Sequence, residues 1–445
     1  MILNIKNLGP IKRAKIDLSK SILFFVGYNN SGKTYLSQLI WGVYNEYFHK
    51  KFVEEIDTVE ILAIDNLKSF EITEEAIDRL IKSYSSFIGT NINLIFKSEK
   101  KYFKNFTIEL LLTKEVNELI TKDLKISFTN ALNKDDIINI STESNNNFLE
   151  INSSNTDLEN VSKRITHFLL IMLFEGKPFY LPSVRGAYTT FYEYIYKIEK
   201  EKKDEIDNFF LSNERDIRKL LKIAKQSQPS YTMPMNELIS KMIDLKQNIS
   251  INHDYIEFQQ ELEQMLGGDI KIHQYPLSKK ELRLHIDENI NLPMYLSSSN
   301  TNQLTTLYLY FKYWIDLSKS NFLILDEPEE NLHPKNQYKL MSILIDFVAR
   351  NNKILITTHS TLMAKIINNY ITFSMLRHEQ QKEIETKYLN KNILKDDIEV
   401  CFFDGEQVKQ YSVEEYGVLF KDFVEIESEI ESLSNEINIK LYKGN

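Results

Sequence analysis

Gly27-Tyr28-Asn29-Asn30-Ser31-Gly32-Lys33-Thr34 sets two glycines, a lysine and a threonine at the spacing G-x-x-x-x-G-K-[ST], the pattern of a loop that wraps phosphate groups. A chance match in a Gly-containing turn is the alternative, and the flanks decide against it. Ahead of the loop, Ser21 to Val26 is a short apolar run ending at a glycine, which reads as a buried strand. Behind it, Leu36, Leu39, Ile40, Val43, Tyr44 and Tyr47 recur at helical spacing, so a helix starts at the loop. Backbone N–H groups of Gly27, Asn29, Asn30, Ser31 and Gly32, with the positive end of that helix, surround an anion. Gly27 and Gly32 permit backbone angles and approaches that a side chain would block. Lys33 places a charge on the β- and γ-phosphates, and the Thr34 hydroxyl coordinates Mg²⁺.

A second stretch, Asn321-Phe322-Leu323-Ile324-Leu325-Asp326-Glu327-Pro328-Glu329, is an apolar strand ending in adjacent carboxylates. Like charges raise each other's pKa, so burying the pair calls for a positive partner. A Mg²⁺–phosphate group supplies one. Asp326 then joins Thr34 in the Mg²⁺ shell, and Glu327 orients and deprotonates the attacking water. An acidic turn at a strand end is the plain alternative. A third strand, Lys353 to Thr358, ends at His359-Ser360, where an imidazole can hydrogen-bond a γ-phosphate. The expected catalytic set is Glu327, His359 and Lys33. His333 reads as a turn residue or a contact to a neighbouring subunit. The other six histidines (49, 167, 253, 273, 285 and 378) show no metal-ligand spacing and receive no role.

The 445-residue chain as a whole is ordinary in composition: 42% hydrophobic, 26% charged, net charge −9, which excludes a basic nucleic-acid footprint overall but not a local patch. The lone Cys401 excludes an internal disulfide and fits a reducing compartment. The longest purely apolar run, Phe168 to Phe174, is too short to span a bilayer, and no leader precedes the first strand. The expectation is a cytoplasmic protein without a membrane partner.

Taken in order, residues 2 to 18 alternate around Gly9-Pro10 as a hairpin, and residues 50 to 90 are acidic and helical in pattern. Runs at Ile92 to Phe96, Phe106 to Leu112, Leu124 to Phe128 and Phe148 to Ile151 predict an antiparallel sheet. Residues 160 to 175 predict a buried helix. Residues 190 to 266, almost free of glycine, predict an inserted helical arm, and strands at Ile270 to His273 and Leu282 to Ile286 return to the core. The basic stripe Arg215, Arg218, Lys219, Lys222 and Lys225, and the run Lys97, Lys100, Lys101 and Lys104, leave DNA contact open beside the plainer reading of a solvated face.

Together these stretches resemble the ABC-type ATPase fold in its non-transporter branch. That branch contains RecF/SMC-like enzymes, the overcoming-lysogenization-defect family and the ATPases of anti-phage systems such as Septu, PARIS and retron-associated ones. The likeness is carried by the opening Ile2 to Ile11, the Asn-Asn-Ser-Gly-Lys loop, Asp326 to Glu329 with Leu332-His333-Pro334, Thr357 to Ser360, and Tyr180 to Arg185, which is similar to an LPxxR segment. The resemblance implies an α/β P-loop nucleotide-binding fold with an antiparallel β subdomain and an inserted helical lobe or arm. It divides the chain into 1–185, 186–268, 269–375 and 376–445. It also implies ATP and Mg²⁺ as cofactors and a homodimer, or a higher even-numbered homo-oligomer, closing on nucleotide. Ser298, Ser299 and Asn300, before an apolar helix, stand where a signature segment would cap the γ-phosphate from the opposite subunit, although its usual glycine is missing. The Gln usual between the loop helix and the helical lobe is missing as well, so either another residue, with Arg185 as a candidate, does its job or the loop is differently wired.

The tail carries Asp396, Asp397, Glu399, Asp404 and Glu406 without a Toprim nuclease layout, so they are expected in turns and solvated positions. Phe423, Ile426, Ile430, Leu433 and Ile437 repeat at 3-4 spacing, which suits a partner, a sister subunit or the chain's own lobe. The function implied is an ATP-driven switch controlling a separately encoded effector such as a nuclease. The rivals are a DNA-end-binding ATPase and the nucleotide-binding subunit of a transporter.

Overall fold

β1 (Ile2–Leu8) and β2 (Ile11–Asp17) pair antiparallel with Leu8 opposite Ile11, so the Gly9-Pro10 turn closes the hairpin as the alternation requires. β3 (Ile22–Gly27) follows and is buried at every position, as an unbroken apolar run demands. This is a computed structural model describing all residues except 65–69, 114–116, 118–119, 123, 131–135, 143–147, 153–156, 199–230, 246–251, 276–279, 385–388, 390–392, 415 and 444–445. It divides into two compact units, Met1–Pro178 with Lys395–Asn445, and Phe179–Leu394.

In the first unit, the helix Lys33–Tyr44 runs out of the loop and stops at Asn45, short of Tyr47, because the Asn45 side chain accepts from the Tyr47 N–H at 3.0 Å and caps the next helix, Glu46–Glu55. The carbonyls left over at the loop helix's end are covered from elsewhere. The Val43 oxygen accepts from the Tyr84 hydroxyl at 2.9 Å and from His49 Nε2 at 3.0 Å. Ile92 to Phe96 is not a strand but the end of the helix Glu74–Phe96. Its β-branched residues continue the buried face of Leu80, Tyr84 and Ile88, and that packing overrides their strand preference. β4 (Thr107–Leu111) joins the free edge of β1, while β5 (Leu124–Asn130), β6 (Asp136–Thr142) and β7 (Phe148–Asn152) form a second antiparallel sheet. The helix Leu158–Leu173 matches the expected buried helix.

The second unit contains β8 (Lys177–Leu181, of which Phe179–Leu181 belong here) and an antiparallel sheet of β9 (Asp269–Gln274), β10 (Lys280–His285) and β11 (Asn291–Pro293). β12 (Asn321–Asp326) and β13 (Lys353–Thr358) pair in parallel with Asp326 opposite Thr357, and β8 lies on the other side of β12. The helices Met233–Ile243 and Ile256–Leu266 belong to the expected arm, and the basic stripe from Arg215 to Lys225 lies outside the described residues.

The tail returns to the first unit as β14 (Ile398–Phe403) and β15 (Val408–Tyr411). β14 pairs in parallel with β3, setting Phe403 opposite Gly27. Glu399 therefore stands on a strand rather than in a turn. It is half-buried, accepts from Gln410 at 2.6 Å, and burial raises its pKa. Asp404 keeps the expected turn role, accepting from the N–H groups of Glu406 and Gln407. On the helix Lys421–Lys443, Ile430, Leu433 and Ile437 are 59%, 59% and 50% exposed, so at these positions the stripe does not pack on its own lobe. Lys97, Lys100, Lys101 and Lys104 are exposed, with Lys101 ion-paired to Glu99. Among the described residues no helix is long and apolar enough to cross a membrane.

Candidate active site

The first unit builds the phosphate loop against β14. Gly27 has φ +144°, and a Cβ there would fall 2.2 Å from the Phe403 carbonyl oxygen, so only glycine lets the two strands meet at the loop's entry. Tyr28 N–H donates to that same oxygen at 3.2 Å, and the Ser31 hydroxyl donates to the Tyr28 carbonyl at 2.6 Å. Gly32 sits at the helix N-terminus with φ +98°, where a Cβ would press into Ile11. It offers no side-chain cap, so the first-turn N–H groups are left for an anion. Lys33 is buried, 4% exposed, and its ammonium donates to the carbonyls of Gly27 and Tyr28 at 2.9 and 2.8 Å. Asn29, Asn30 and Thr34 are exposed along the loop.

The second unit builds the acidic half. Asp326 is buried at the end of β12; its Oδ2 accepts from the Tyr180 hydroxyl at 3.1 Å and its Oδ1 from the Thr357 hydroxyl. The chain then reverses its twist. Glu327 has φ +47°, a conformation that costs a residue with a Cβ about 1–2 kcal/mol. Its N–H is held by the Thr357 carbonyl at 3.0 Å. This turn leaves the Glu327 carboxylate partly exposed, with Oε1 3.3 Å from His359 Nδ1. Glu329 follows, buried, taking the Thr358 hydroxyl and, at 3.4 Å, the His359 N–H on its Oε1.

Arg185 locks this turn from below. The side chain is 2% exposed, with Nε donating to the Gln303 carbonyl, Nη1 to the carbonyls of Pro182 and Asp326, and Nη2 to that of Pro328, all within 3.0–3.1 Å. Burial pulls the guanidinium down to about 10, opposed by the nearby Glu329, Glu330 and Asp326. With its strong donors spent on backbone carbonyls, Arg185 is a clamp and not a stand-in for the missing Gln. Gln303 completes the clamp, donating to the Ser183 carbonyl at 2.6 Å and to Glu330 at 3.2 Å, and accepting from the Gly186 N–H. Gln303 lies on the helix Ser299–Leu309, whose N-cap is Ser298, accepting from the Thr301 N–H at 3.1 Å. Ser298 and Ser299 are exposed, whereas Asn300 turns inward to the Met265 carbonyl. The second unit thus brings together Asp326, Glu327 and His359, and joins the helix Ser299–Leu309 to their turn through Gln303 and Arg185.

Tyr180, Thr357, Thr358, Glu329 and Gln303 carry no role in the sequence reading. Two adjacent threonines at a strand end beside a carboxylate turn were the available signal. His333 caps the helix Pro334–Ala349 through Nδ1, and His273 and His285 meet across the β9–β10 hairpin with Nε2 atoms 2.9 Å apart. Among the described residues no group of three or more His, Cys, Asp or Glu is placed to hold a metal ion. A Mg²⁺ held largely by phosphates and water needs fewer protein ligands. Each unit's donors suit part of such a group: in the first, backbone N–H groups and an ammonium for phosphate with a threonine hydroxyl as a hard oxygen ligand; in the second, a hydrogen-bonded aspartate.

Three SMC head domains are similar to the chain across nearly their whole length. One, from Pyrococcus furiosus and bound to the C-terminal domain of ScpA, is 12% identical, with coverage of 97% of this chain and 98% of that one and a TM-score of 0.33. Another, bound to the C-winged helix domain of ScpA, is 11% identical over 93% and 97%, with a TM-score of 0.34. The head domain from Thermotoga maritima is 9% identical over 93% and 98%, with a TM-score of 0.30. No curated protein matches. Residues 1–364 match the AAA ATPase domain family, a span that holds both the phosphate loop and the acidic turn, and the chain belongs to this family of ATPases.

Proposed function

We propose that the phosphate loop and the acidic turn serve one ATP, and that the protein is a nucleotide-driven switch. Lys33 and the loop N–H groups hold the phosphates, and Thr34 and Asp326 hold Mg²⁺, which offsets the phosphates' negative charge. Glu327 accepts a proton from the attacking water, and His359 hydrogen-bonds the γ-phosphate. Ser298 and Ser299 of a second copy cap that phosphate, so ATP closes two copies head to tail and hydrolysis reopens them. The observation that carries this reading is the turn at Glu327, where an unfavourable backbone angle is retained and a carboxylate is delivered beside His359.

The likeness of Tyr180 to Arg185 to the LPxxR segment of anti-phage ATPases supports control of a separately encoded effector as the output of the switch. The decisive experiment is Glu327→Gln, assayed for ATP binding, phosphate release and association state. The expected result is retained binding, hydrolysis lowered at least about 10²-fold, and a dimer that persists with ATP. Wild-type turnover would remove Glu327 as the base. Strong stimulation of the wild-type enzyme by DNA ends would replace the effector switch with a DNA-end-binding ATPase.

A further inference from the structure

Glu329 stands three residues past Asp326 and does not touch the carboxylates assigned above to metal and water. Yet its side chain is 95% buried, and its Oε2 has no hydrogen-bond partner. A carboxyl group in such a place works against stability, and a buried orphan oxygen calls for an explanation. The other oxygen supplies one. Oε1 takes the Thr358 hydroxyl and the His359 N–H. Thr358 Oγ1 in turn accepts the Ser360 N–H at 2.9 Å, and Ser360 caps the helix Thr361–Ser374. One carboxyl oxygen therefore fixes the backbone on both sides of the His359 ring, which meets Glu327 at 3.3 Å.

Resting on the hydrolysis reading above, we propose that Glu329 is a positioning residue: by pinning Thr358 and the His359 amide it fixes the imidazole against the water-activating carboxylate. Burial raises the Glu329 carboxyl above its ordinary range, opposed by the Thr358 hydroxyl. The contacts that pin the segment are made through the shape of the side chain and one acceptor oxygen. A glutamine reproduces both.

The test measures steady-state hydrolysis and, separately, binding of a fluorescent ATP analogue for Glu329→Ala, Glu329→Gln, Thr358→Val and Thr358→Ser, with Glu327→Gln in parallel. Glu329→Ala and Thr358→Val should each lower kcat about 10- to 100-fold, with analogue affinity within about twofold. The double variant should be no worse than the poorer single one, because both break one link. Glu329→Gln and Thr358→Ser should stay within about threefold of wild type. Thr358→Val leaves the carboxyl in place and carries the test if Glu329→Ala does not fold. The proposal is overturned if Glu329→Ala and Thr358→Val keep wild-type kcat, if affinity falls in step with kcat, or if Glu329→Gln is as inactive as Glu329→Ala. An inactive Glu327→Gln beside a fully active Glu329→Ala sinks this inference alone, whereas an active Glu327→Gln sinks the hydrolysis reading beneath it.

Discussion

Replacing Arg185 by methionine keeps the length and most of the volume of the side chain and removes only its donors. Four buried carbonyls, those of Pro182, Gln303, Asp326 and Pro328, lose a charged donor at 3.0–3.1 Å. At a net ~1–1.5 kcal/mol each, the loss is about 4–6 kcal/mol. Burying the methionine end in place of a guanidinium returns about 1 kcal/mol. The balance is a destabilisation of about 3–5 kcal/mol, in the range seen when one member of a buried charged network is deleted. Urea unfolding followed by tryptophan emission measures it directly, since Trp314 lies in the same unit and packs on Phe179. The thermal midpoint of that unit should fall by about 6–20 °C. Arg185→Lys should recover less than half, because an ammonium is a point donor and cannot span carbonyls arranged around a planar fork. A loss below ~1 kcal/mol for Arg185→Met, with unchanged dependence on urea, would refute the clamp and return Arg185 to the list of residues available for chemistry.

Other expectations follow from the first unit. Gly27→Ala should cost at least about 3 kcal/mol and abolish ATP binding, since its Cβ would overlap the Phe403 carbonyl and demand a strained φ; a normal melting curve would contradict the strand contact. Burial lowers the pKa of His49 from 6.5 to about 4, so the unfolded chain binds the proton more tightly. Stability is full above pH 6.5 and falls by about 3 kcal/mol as pH drops towards 4, and His49→Gln should flatten that slope in pH-dependent unfolding. Ile430→Ser with Ile437→Ser should change monomer stability by no more than about 0.5 kcal/mol, because both side chains are at least half exposed; a larger loss by calorimetry would mean that the helix face is covered.

The local parts of this fold were legible because they are written in short-range periodicity. β3, the loop helix, β12 and β13 each occupy one uninterrupted apolar pattern bounded by a glycine, a carboxylate or a histidine. Ile92 to Phe96 misled because its residue types favour a strand, while the partners that hold it helical, Tyr84 and Ile88 on the same face, lie upstream in a pattern that must be followed for 23 residues. β14 was missed for the opposite reason. Its Ile-Glu-Val-Cys-Phe-Phe run sits among acidic turns, and only its pairing with β3, more than 370 positions away in sequence, makes it part of the sheet beneath the phosphate loop.

The acidic turn shows why motif residues alone underdetermine a site. Asp326 and Glu327 are adjacent and alike in sequence, yet one faces two hydroxyl donors in the interior and the other reaches His359 at the edge. What separates them is the left-handed angle at Glu327, and nothing in its own side chain prefers that angle. The angle is imposed by groups that no local pattern announces: the Thr357 carbonyl on the Glu327 N–H, and the Arg185 fork on the carbonyls of Asp326 and Pro328. Arg185 comes from about 140 positions upstream and is oriented in its turn by the helix Ser299–Leu309 through Gln303. Any shift of that helix therefore strains the turn that carries the proposed base. Within this unit, the segment proposed to sense a second subunit and the carboxylate proposed to split ATP are mechanically one object.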